Sequence, residues 1–135
     1  MSVHRVHVKQ VMVDRYALVD GLITVKEALS IIRERDLDAL IIDKRDPHDE
    51  FGMVLLSDIA KQVIAKDKAP ERVNLYEIMA KPVVSVDPEM DVRYCARLFD
   101  RFGIHRAPVI AAGKVEGVVS YNDIVIKGFA LNHSD

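Results

Sequence analysis

Apolar positions along the chain follow two different periods that alternate. They first recur at the spacing of one helix face, at Val25, Ala28, Leu29 and Ile32. Two β-rich apolar runs follow, Leu37 to Ile42 and Phe51 to Leu56, with an acidic, proline-containing loop between them. A further helical pattern extends from about Asp58 to Lys66. This pattern predicts the order helix, strand, strand, helix.

The same order returns in the second half of the chain. A helical stripe comprises Val92, Cys95, Ala96, Phe99 and Phe102. The segment "APVIAAGKVEGVVS" then predicts two strands joined by a tight turn at Ala112 and Gly113, and Asp123 to Leu131 predicts a closing helix. Short extended segments, "VMVDRYALV" and "KPVVSV", precede the two helical stripes, and we call them the lead-ins.

Aligning the halves indicates an internal repeat. Equivalent positions are Val11 and Ile78, Met12 and Met79, Val25 and Val92, Ala28 and Cys95, Gly52 and Gly117, and Asp58 and Asp123. We therefore expect a first repeat with its lead-in at 1–67, a polar linker containing proline at 68–77, and a second repeat at 78–135. A small sheet with helices on one face leaves its other face apolar, so we expect the two copies to pack together.

Composition is that of an ordinary globular protein. The 135 residues are 50% hydrophobic and 30% charged, with a formal net charge of −2, which does not favour a nucleic-acid partner. The one cysteine, Cys95, excludes an intramolecular disulfide and lies on the apolar helix stripe, where it is interpreted as a small core residue. No signal peptide or membrane span is evident, so we expect a cytoplasmic location and no membrane partner.

The segment "GVVSYNDIV" contains the most specific chemistry. Ser120 ends an apolar run and Asp123 follows at the first turn of the predicted helix. One interpretation is a capping box, in which each side chain bonds to the other residue's backbone N–H. The other is that a hydroxyl, a carboxylate and a helix N-terminus together hold a sugar and a phosphate. These residues alone leave both interpretations open.

The motifs "GIHRAPVI" and "GVVSYND", separated by a hairpin, resemble those of the CBS (cystathionine β-synthase) domain, and the repeat resembles the tandem CBS pair. The first copy is looser, since it keeps Gly52 and Asp58 but has Leu55 where the second copy has Ser120. The resemblance implies an α+β fold of two βαββα-type repeats, packed through their sheets with pseudo-two-fold symmetry. It covers nearly the whole chain, so we expect a stand-alone pair without a catalytic domain.

In function, the resemblance implies a non-catalytic regulatory module that binds AMP, ADP or ATP in a cleft between the repeats, with S-adenosylmethionine as a further candidate. The module would be a homodimer and would signal by conformational change to an effector protein. We expect no catalytic residue, metal or cofactor. The alternative is a constitutive dimerisation or protein-interaction module whose clefts are vestigial.

The resemblance also implies roles for individual residues. Asp123 would bind the ribose, and Ser120 the ribose or α-phosphate, because an ionised carboxylate accepts hydrogen bonds from a diol. His105 and Arg106 would face the phosphate. The remaining expected contacts are Lys81, Pro82 and Val83 as a wall for the adenine, with Ala107, Pro108 and Asn122.

Each of these roles has a structural alternative, namely helix capping, a solvated surface charge, or strand packing. A weaker second cleft would use Val13, Asp38 and Asp58. Leu55 offers it no hydroxyl, and Asp38 stands where the second copy has His105, so an anion there would meet like charge. We expect this cleft to be empty or to take an uncharged group.

Overall fold

Two separate sets of buried apolar residues organise the chain. The computed structural model describes residues 6–132, which divide into two units, each with its own core. We call residues 15–83 the central unit, and residues 6–14 with 84–132 the terminal unit. Residues 1–5 and 133–135, the ends of the expected repeats, lie outside the described residues.

The helices are α1 Val8–Val11, α2 Val25–Arg35, α3 Leu56–Ile59, α4 Val92–Phe102 and α5 Gly128–Asn132. The strands are β1 Tyr16–Val19, β2 Ala39–Ile42, β3 Gly52–Leu55, β4 Arg106–Ala111 and β5 Lys114–Ser120. Helix α3 continues into a π-helical turn at Ala60–Ile64, and a second π-helical turn at Asp123–Lys127 leads into α5. Short 3₁₀ turns occur at Pro70–Arg72 and Leu75–Glu77.

In the central unit, β2 is the middle strand of three. It pairs in parallel with β1 and antiparallel with β3, and all four of its residues are buried. Helix α2 contributes Val25 and Ala28 to the core, and the segment expected to be a linker contributes Val73 and Leu75. Residues 68–77 are therefore part of the central unit, because these two apolar side chains are buried against its core.

In the terminal unit, β4 and β5 form an antiparallel hairpin. The chain reverses at Ala112 and Gly113, which have φ angles of 52° and 76°, the left-handed values that a two-residue type I′ turn requires. Cys95 and Phe99 of α4 are fully buried beneath the hairpin core. Phe102, expected on the same stripe, is 55% exposed because α4 ends there and Gly103 turns the chain away.

Side-chain caps and left-handed residues define the ends of the two long helices, α2 and α4. Thr24 accepts a hydrogen bond of 3.1 Å from the Glu27 backbone N–H at the start of α2, and Asp91 accepts one from the first turn of α4. Left-handed residues, Asp36 and Gly103, end the two helices. Capping groups satisfy backbone N–H groups that have no partner within a helix.

The two lead-ins pair with strands that lie far from them along the chain. Val13 exchanges two backbone hydrogen bonds of 2.9 Å with Val118 of β5. Ala80 does the same with Met53 of β3, at 3.0 and 2.9 Å. The second-copy lead-in also continues to Val86, which pairs in parallel with β4. Because the equivalent backbone pairs form in both copies, the repeat inferred from the sequence is also a repeat of strand pairing.

These pairings explain why the units differ from the expected boundaries. Residues 6–14, expected with the first repeat, belong to the terminal unit, and residues 78–83, expected with the second, belong to the central unit. An extended lead-in carries no side-chain pattern that specifies which sheet edge it joins. Long-range backbone hydrogen bonds determine which sheet edge each lead-in joins.

The equivalent glycines of the two repeats allow the lead-ins to approach closely. A Cβ at Gly117 would lie 3.0 Å from the Val13 carbonyl oxygen and 3.1 Å from the Met12 sulfur. A Cβ at Gly52 would lie 3.2 Å from the Ala80 carbonyl oxygen. Neither glycine has a positive φ, so space and not backbone conformation requires them.

We predict that Gly117→Ala lowers the free energy of unfolding by about 1–3 kcal/mol, because the added methyl group must push the lead-in off β5. Urea denaturation measures the change. The control is Gly103→Asn, which adds a side chain in open space at a left-handed position that asparagine tolerates. Equal stability of Gly117→Ala and wild type would contradict the crowding argument.

Candidate functional site

The candidate site is built where β5 ends and the next helix begins. Both Ser120 and Asp123 are buried, with 6% and 9% of their surfaces exposed. The Ser120 backbone N–H donates to Asp123 Oδ2 at 2.9 Å, and the Asp123 backbone N–H donates to Ser120 Oγ at 3.2 Å. The hydroxyl also donates to Asp123 Oδ2 at 2.9 Å. The capping box is therefore complete.

The box leaves one carboxylate oxygen available. Both hydrogen bonds to the Asp123 carboxylate reach Oδ2, and Oδ1 makes none with the residues that the structure describes. A buried polar atom without a partner is uncommon in proteins and calls for a specific reason. Capping therefore does not exclude ligand binding, because the cap uses Oδ2 and leaves Oδ1 unbonded.

Arg106 lies directly opposite Ser120 in the hairpin register. Paired residues project to the same face of a sheet and successive residues to opposite faces. Arg106 therefore shares a face with Ser120, whereas Ala107 and Val119, one step along each strand, pack in the core. Arg106 is half-buried, and within residues 6–132 its guanidinium takes part in no ion pair.

His105 is exposed but held in position by its neighbours. Its carbonyl accepts a hydrogen bond of 3.1 Å from the Tyr121 backbone N–H, and its ring meets the Tyr121 ring edge-on at 5.5 Å. Tyr121 in turn packs edge-on against buried Phe99 at 5.2 Å. The sequence interpretation missed Tyr121, although an aromatic residue between Ser120 and Asp123 is a signal that could have revealed it.

The other expected residues of the second-copy motif have different environments. Pro108 is buried and pairs with Val118 on the face that carries Arg106. Asn122 is exposed in the first helical turn. Because the Ala107 side chain packs in the core, only its backbone could contact a ligand. The structure therefore brings together Ser120, Asp123, Arg106, His105 and Pro108 at one end of the hairpin.

Lys81, Pro82 and Val83 lie in the central unit. Lys81 Nζ is 2.7 Å from a carboxylate oxygen of Asp49, a residue that the sequence interpretation did not single out. The Val83 backbone N–H donates to the Phe51 carbonyl at 3.4 Å. The side-chain charge of Lys81 is therefore engaged, and its assignment to the ligand remains a prediction from the sequence.

The weaker set of expected residues is divided between the units. Val13 lies in the terminal unit, paired with β5, whereas Asp38 and Asp58 lie in the central unit. Asp58 accepts from the Leu55 backbone N–H at 2.8 Å, which is half of the box formed in the second copy. Asp38 is not an isolated negative charge, because the Arg15 guanidinium lies 3.1 Å from it.

Other kinds of site find little support among the described residues. Residues 6–132 contain no group of three or more His, Cys, Asp or Glu side chains placed to hold a metal ion. Over the same range, no helix is both long and apolar enough to cross a bilayer. Burial raises the pKa of the Cys95 thiol to about 11, so at neutral pH it is a protonated core group.

Comparison with known proteins identifies a family. The family model for the CBS domain matches residues 75–127. Among solved structures, the hexameric CBS-CP12 protein from bloom-forming cyanobacteria is 35% identical, with a TM-score of 0.89 over 96% of this chain and 75% of that one. The CBS domain pair of protein MJ0100, in complex with 5′-methylthioadenosine and S-adenosyl-L-methionine, is 26% identical, with a TM-score of 0.74 over 88% and 96% of the two chains.

A curated relative is longer than this chain. An uncharacterized protein of Methanopyrus kandleri is 30% identical over 97 residues, which represent 70% of this chain and 48% of the relative. The chain therefore spans about half the length of that protein.

We predict that Cys95 resists thiol reagents in the folded protein. Because its pKa is raised by burial, the reactive thiolate is scarce at pH 8 and increases only toward pH 11. Labelling with a chromogenic disulfide such as DTNB measures this, and the urea-unfolded protein is the control. Equally fast labelling of folded and unfolded protein at pH 8 would contradict the burial of the thiol.

We also predict that Ser120→Ala lowers the free energy of unfolding by about 0.5–2 kcal/mol through loss of the cap. The Ser120→Ala/Asp123→Ala double variant should cost less than the sum of the single changes, because both single changes remove the hydrogen bond from Ser120 Oγ to Asp123 Oδ2. Urea denaturation measures all three variants. Ser57→Ala, at an exposed helix start, is the control. Strictly additive losses would argue against that shared hydrogen bond.

Proposed function

Because the chain belongs to the CBS domain family, we propose that it is a non-catalytic regulatory module that binds an adenine nucleotide at the end of the β4–β5 hairpin. Ser120, Asp123 and Arg106 would form the central contacts. The ligand would act by favouring one of two conformations, and an effector protein would distinguish between them. The ligand can shift this conformational equilibrium only by the difference in its affinity for the two conformations.

The observation that carries this proposal is the buried Asp123 carboxylate with one unengaged oxygen. An acceptor-only oxygen in this position suits the hydroxyls of a ribose. Arg106, opposite Ser120 and without an ion-pair partner among the described residues, suits a phosphate, because a guanidinium forms paired hydrogen bonds with its oxygens. The two groups thus match the two polar parts of a nucleotide.

A structural neighbour supports the adenine part of the proposal. The CBS pair of MJ0100 was crystallised with 5′-methylthioadenosine and S-adenosyl-L-methionine, and both compounds contain adenosine. A 5′-nucleotide adds a phosphate to that group. Arg106 therefore favours AMP, ADP or ATP over S-adenosylmethionine, whose sulfonium is positively charged and would be repelled by a guanidinium.

The equivalent position in the central unit supports binding of one ligand per chain. Leu55 supplies no hydroxyl at its capping position, and Ala39 stands opposite it where Arg106 stands in the terminal unit. The nearby Arg15 is engaged by Asp38 and Asp36 at 3.1 and 3.3 Å. The capping position of the central unit therefore offers an anion no hydroxyl, and the residue opposite it is not a cation.

The second candidate is a constitutive interaction module. The observation that favours it is the exposure of apolar side chains on the closing helix, where Val125 and Ile126 are 49% and 63% exposed. Such residues suit contact with another protein. A homodimer remains our prediction; the similar cyanobacterial protein is described as hexameric.

We predict micromolar binding of AMP, ADP or ATP with one site per chain, corresponding to about −8 kcal/mol. Isothermal titration should detect this binding in wild type and in Asp58→Asn, the matched change in the central unit. Nucleotide binding should be lost in Asp123→Asn. The amide oxygen of the asparagine can still complete the cap, but the negative charge of the carboxylate is removed. Thermal melting verifies that both variants are folded.

Two results would contradict this function. Absence of heat with AMP, ADP, ATP and S-adenosylmethionine, together with no nucleotide released when the purified protein is denatured, would favour the interaction module. Equal loss of binding in Asp58→Asn and Asp123→Asn would contradict the assignment of the site to the terminal unit.

A further inference from the structure

Helix α4 carries two adjacent rows of side chains on its outer surface. Residues four apart lie one above the other on a helix, and two such rows run side by side here. The basic row comprises Arg93, Arg97 and Arg101, and the apolar row comprises Tyr94, Leu98 and Phe102. The two aromatic side chains are each 55% exposed, and the leucine between them is half-buried. We call these six residues the α4 face.

The equivalent surface of α2 has a different composition. The positions equivalent to the basic row are occupied by Lys26, Ser30 and Glu34. Those equivalent to the apolar row are occupied by Glu27, Ile31 and Arg35. The two helices have the same place in the repeat, so the shared fold does not require the arginines and aromatic residues of the α4 face. These residue types are the ones most enriched at the contact points of protein interfaces.

Tyr94 and two of the arginines order one another. The Asp91 carboxylate accepts two hydrogen bonds from Arg93, of 3.1 Å from Nε and 3.0 Å from Nη2. The guanidinium carbons of Arg93 and Arg97 lie 5.8 and 5.3 Å from the centre of the Tyr94 ring. At such distances a cation and an aromatic ring attract each other. Because these side chains are partly ordered before a partner arrives, their contacts cost less conformational entropy on binding.

Only the first arginine of the basic row has a carboxylate partner in the described part of the chain. Within residues 6–132, neither Arg97 nor Arg101 forms an ion pair. Asp100, an exposed acidic residue of the same helix, is not within ion-pair distance of either guanidinium. Two positive charges beside an exposed apolar row therefore lack the negative charge that Asp91 supplies to Arg93.

We propose that the α4 face docks an amphipathic helix of a partner protein, with acidic residues opposite Arg97 and Arg101 and apolar residues opposite the apolar row. Residues four apart rise about 6 Å along any α-helix, so a partner helix with adjacent acidic and apolar rows has the same spacing. A second α4 face is a poor occupant, because it would place arginine against arginine. The proposed nucleotide site includes none of these residues, so the two surfaces can be tested separately.

The probe is a fluorescein-labelled, stapled helical peptide with a row of glutamates beside a row of leucines. A length of about 15 residues is sufficient for a stable helix. A second peptide has lysine in place of each glutamate, and a third has serine in place of each leucine. Fluorescence anisotropy should show that wild type binds the first peptide about tenfold or more tightly than the others, and that added salt weakens this binding.

Reversal of the charges on α4 tests whether the arginines carry the recognition. Arg97→Glu/Arg101→Glu should bind the glutamate peptide about tenfold or more weakly than wild type. The same variant should bind the lysine peptide more tightly than wild type does, because the charges are then complementary again. The matched control is Lys26→Glu/Arg33→Glu, which reverses two exposed charges on α2 and should bind both peptides as wild type does.

Removal of the aromatic rings tests the apolar row. Tyr94→Ala/Phe102→Ala should bind the glutamate peptide about fivefold or more weakly than wild type, because aromatic side chains contribute much of the energy at interfaces. Thermal melting verifies that each variant is folded. Gel filtration should give wild type and Arg97→Glu/Arg101→Glu the same oligomeric state.

Contrary results would overturn the proposal in three ways. If wild type does not bind the glutamate peptide at millimolar concentration, or if Arg97→Glu/Arg101→Glu binds it equally well, the α4 face is not an acidic docking surface. Tighter binding of a DNA duplex that is lost in the same variant would assign the surface to nucleic acid. A changed oligomeric state in that variant would assign the surface to contact between copies of this chain.

Discussion

The fold depends on the backbone pairing of each lead-in with the strand that closes the other repeat. Val13 bonds to β5 and Ala80 bonds to β3, and each approach needs the space that a glycine leaves. Without these pairs, β3 and β5 would be exposed edges with unpaired N–H and C=O groups. The lead-ins cover those edges beside the two capping positions, Leu55 and Ser120, and thereby fix the surroundings of the candidate site.

In the terminal unit, the carboxylate that caps the helix is also the one that we propose as a ligand contact. Asp123 Oδ2 completes the cap, which is formed before any ligand arrives, so the side chain loses little further freedom on binding. The corresponding residue of the central unit, Asp58, has only the backbone half of this arrangement because Leu55 lacks a hydroxyl. The difference between Leu55 and Ser120 therefore determines whether the helix cap also presents a polar surface.

Sequence periodicity predicted the elements well because each pattern is local. The stripes beginning at Val25 and Val92 became α2 and α4, and the turn at Ala112 and Gly113 formed as expected. The closing helices begin slightly earlier than predicted, since their capping residues precede the apolar pattern. The family was also predicted, on the motifs before and after the hairpin.

The features that the sequence did not predict depend on contacts between residues that are far apart in the sequence. The linker was read as polar, yet two of its apolar side chains fill a core. Asp49 lies in a loop of mixed charge without a motif, and only the folded chain brings it to Lys81. The partners of the lead-ins were invisible for the same reason. Of these contacts, the pairing of Val13 with Val118 lies in the same unit as the candidate site, whose chemical groups were predicted from the motif itself.

Because each lead-in pairs with the other repeat, the two units also fold in a defined order during synthesis. The central unit is one continuous stretch, residues 15–83, and can fold as soon as that stretch has left the ribosome. The terminal unit pairs Val13 with Val118, so the segment around Val13 must wait until the much later segment around Val118 has been synthesised. The proposed nucleotide site would therefore form after the central unit has folded.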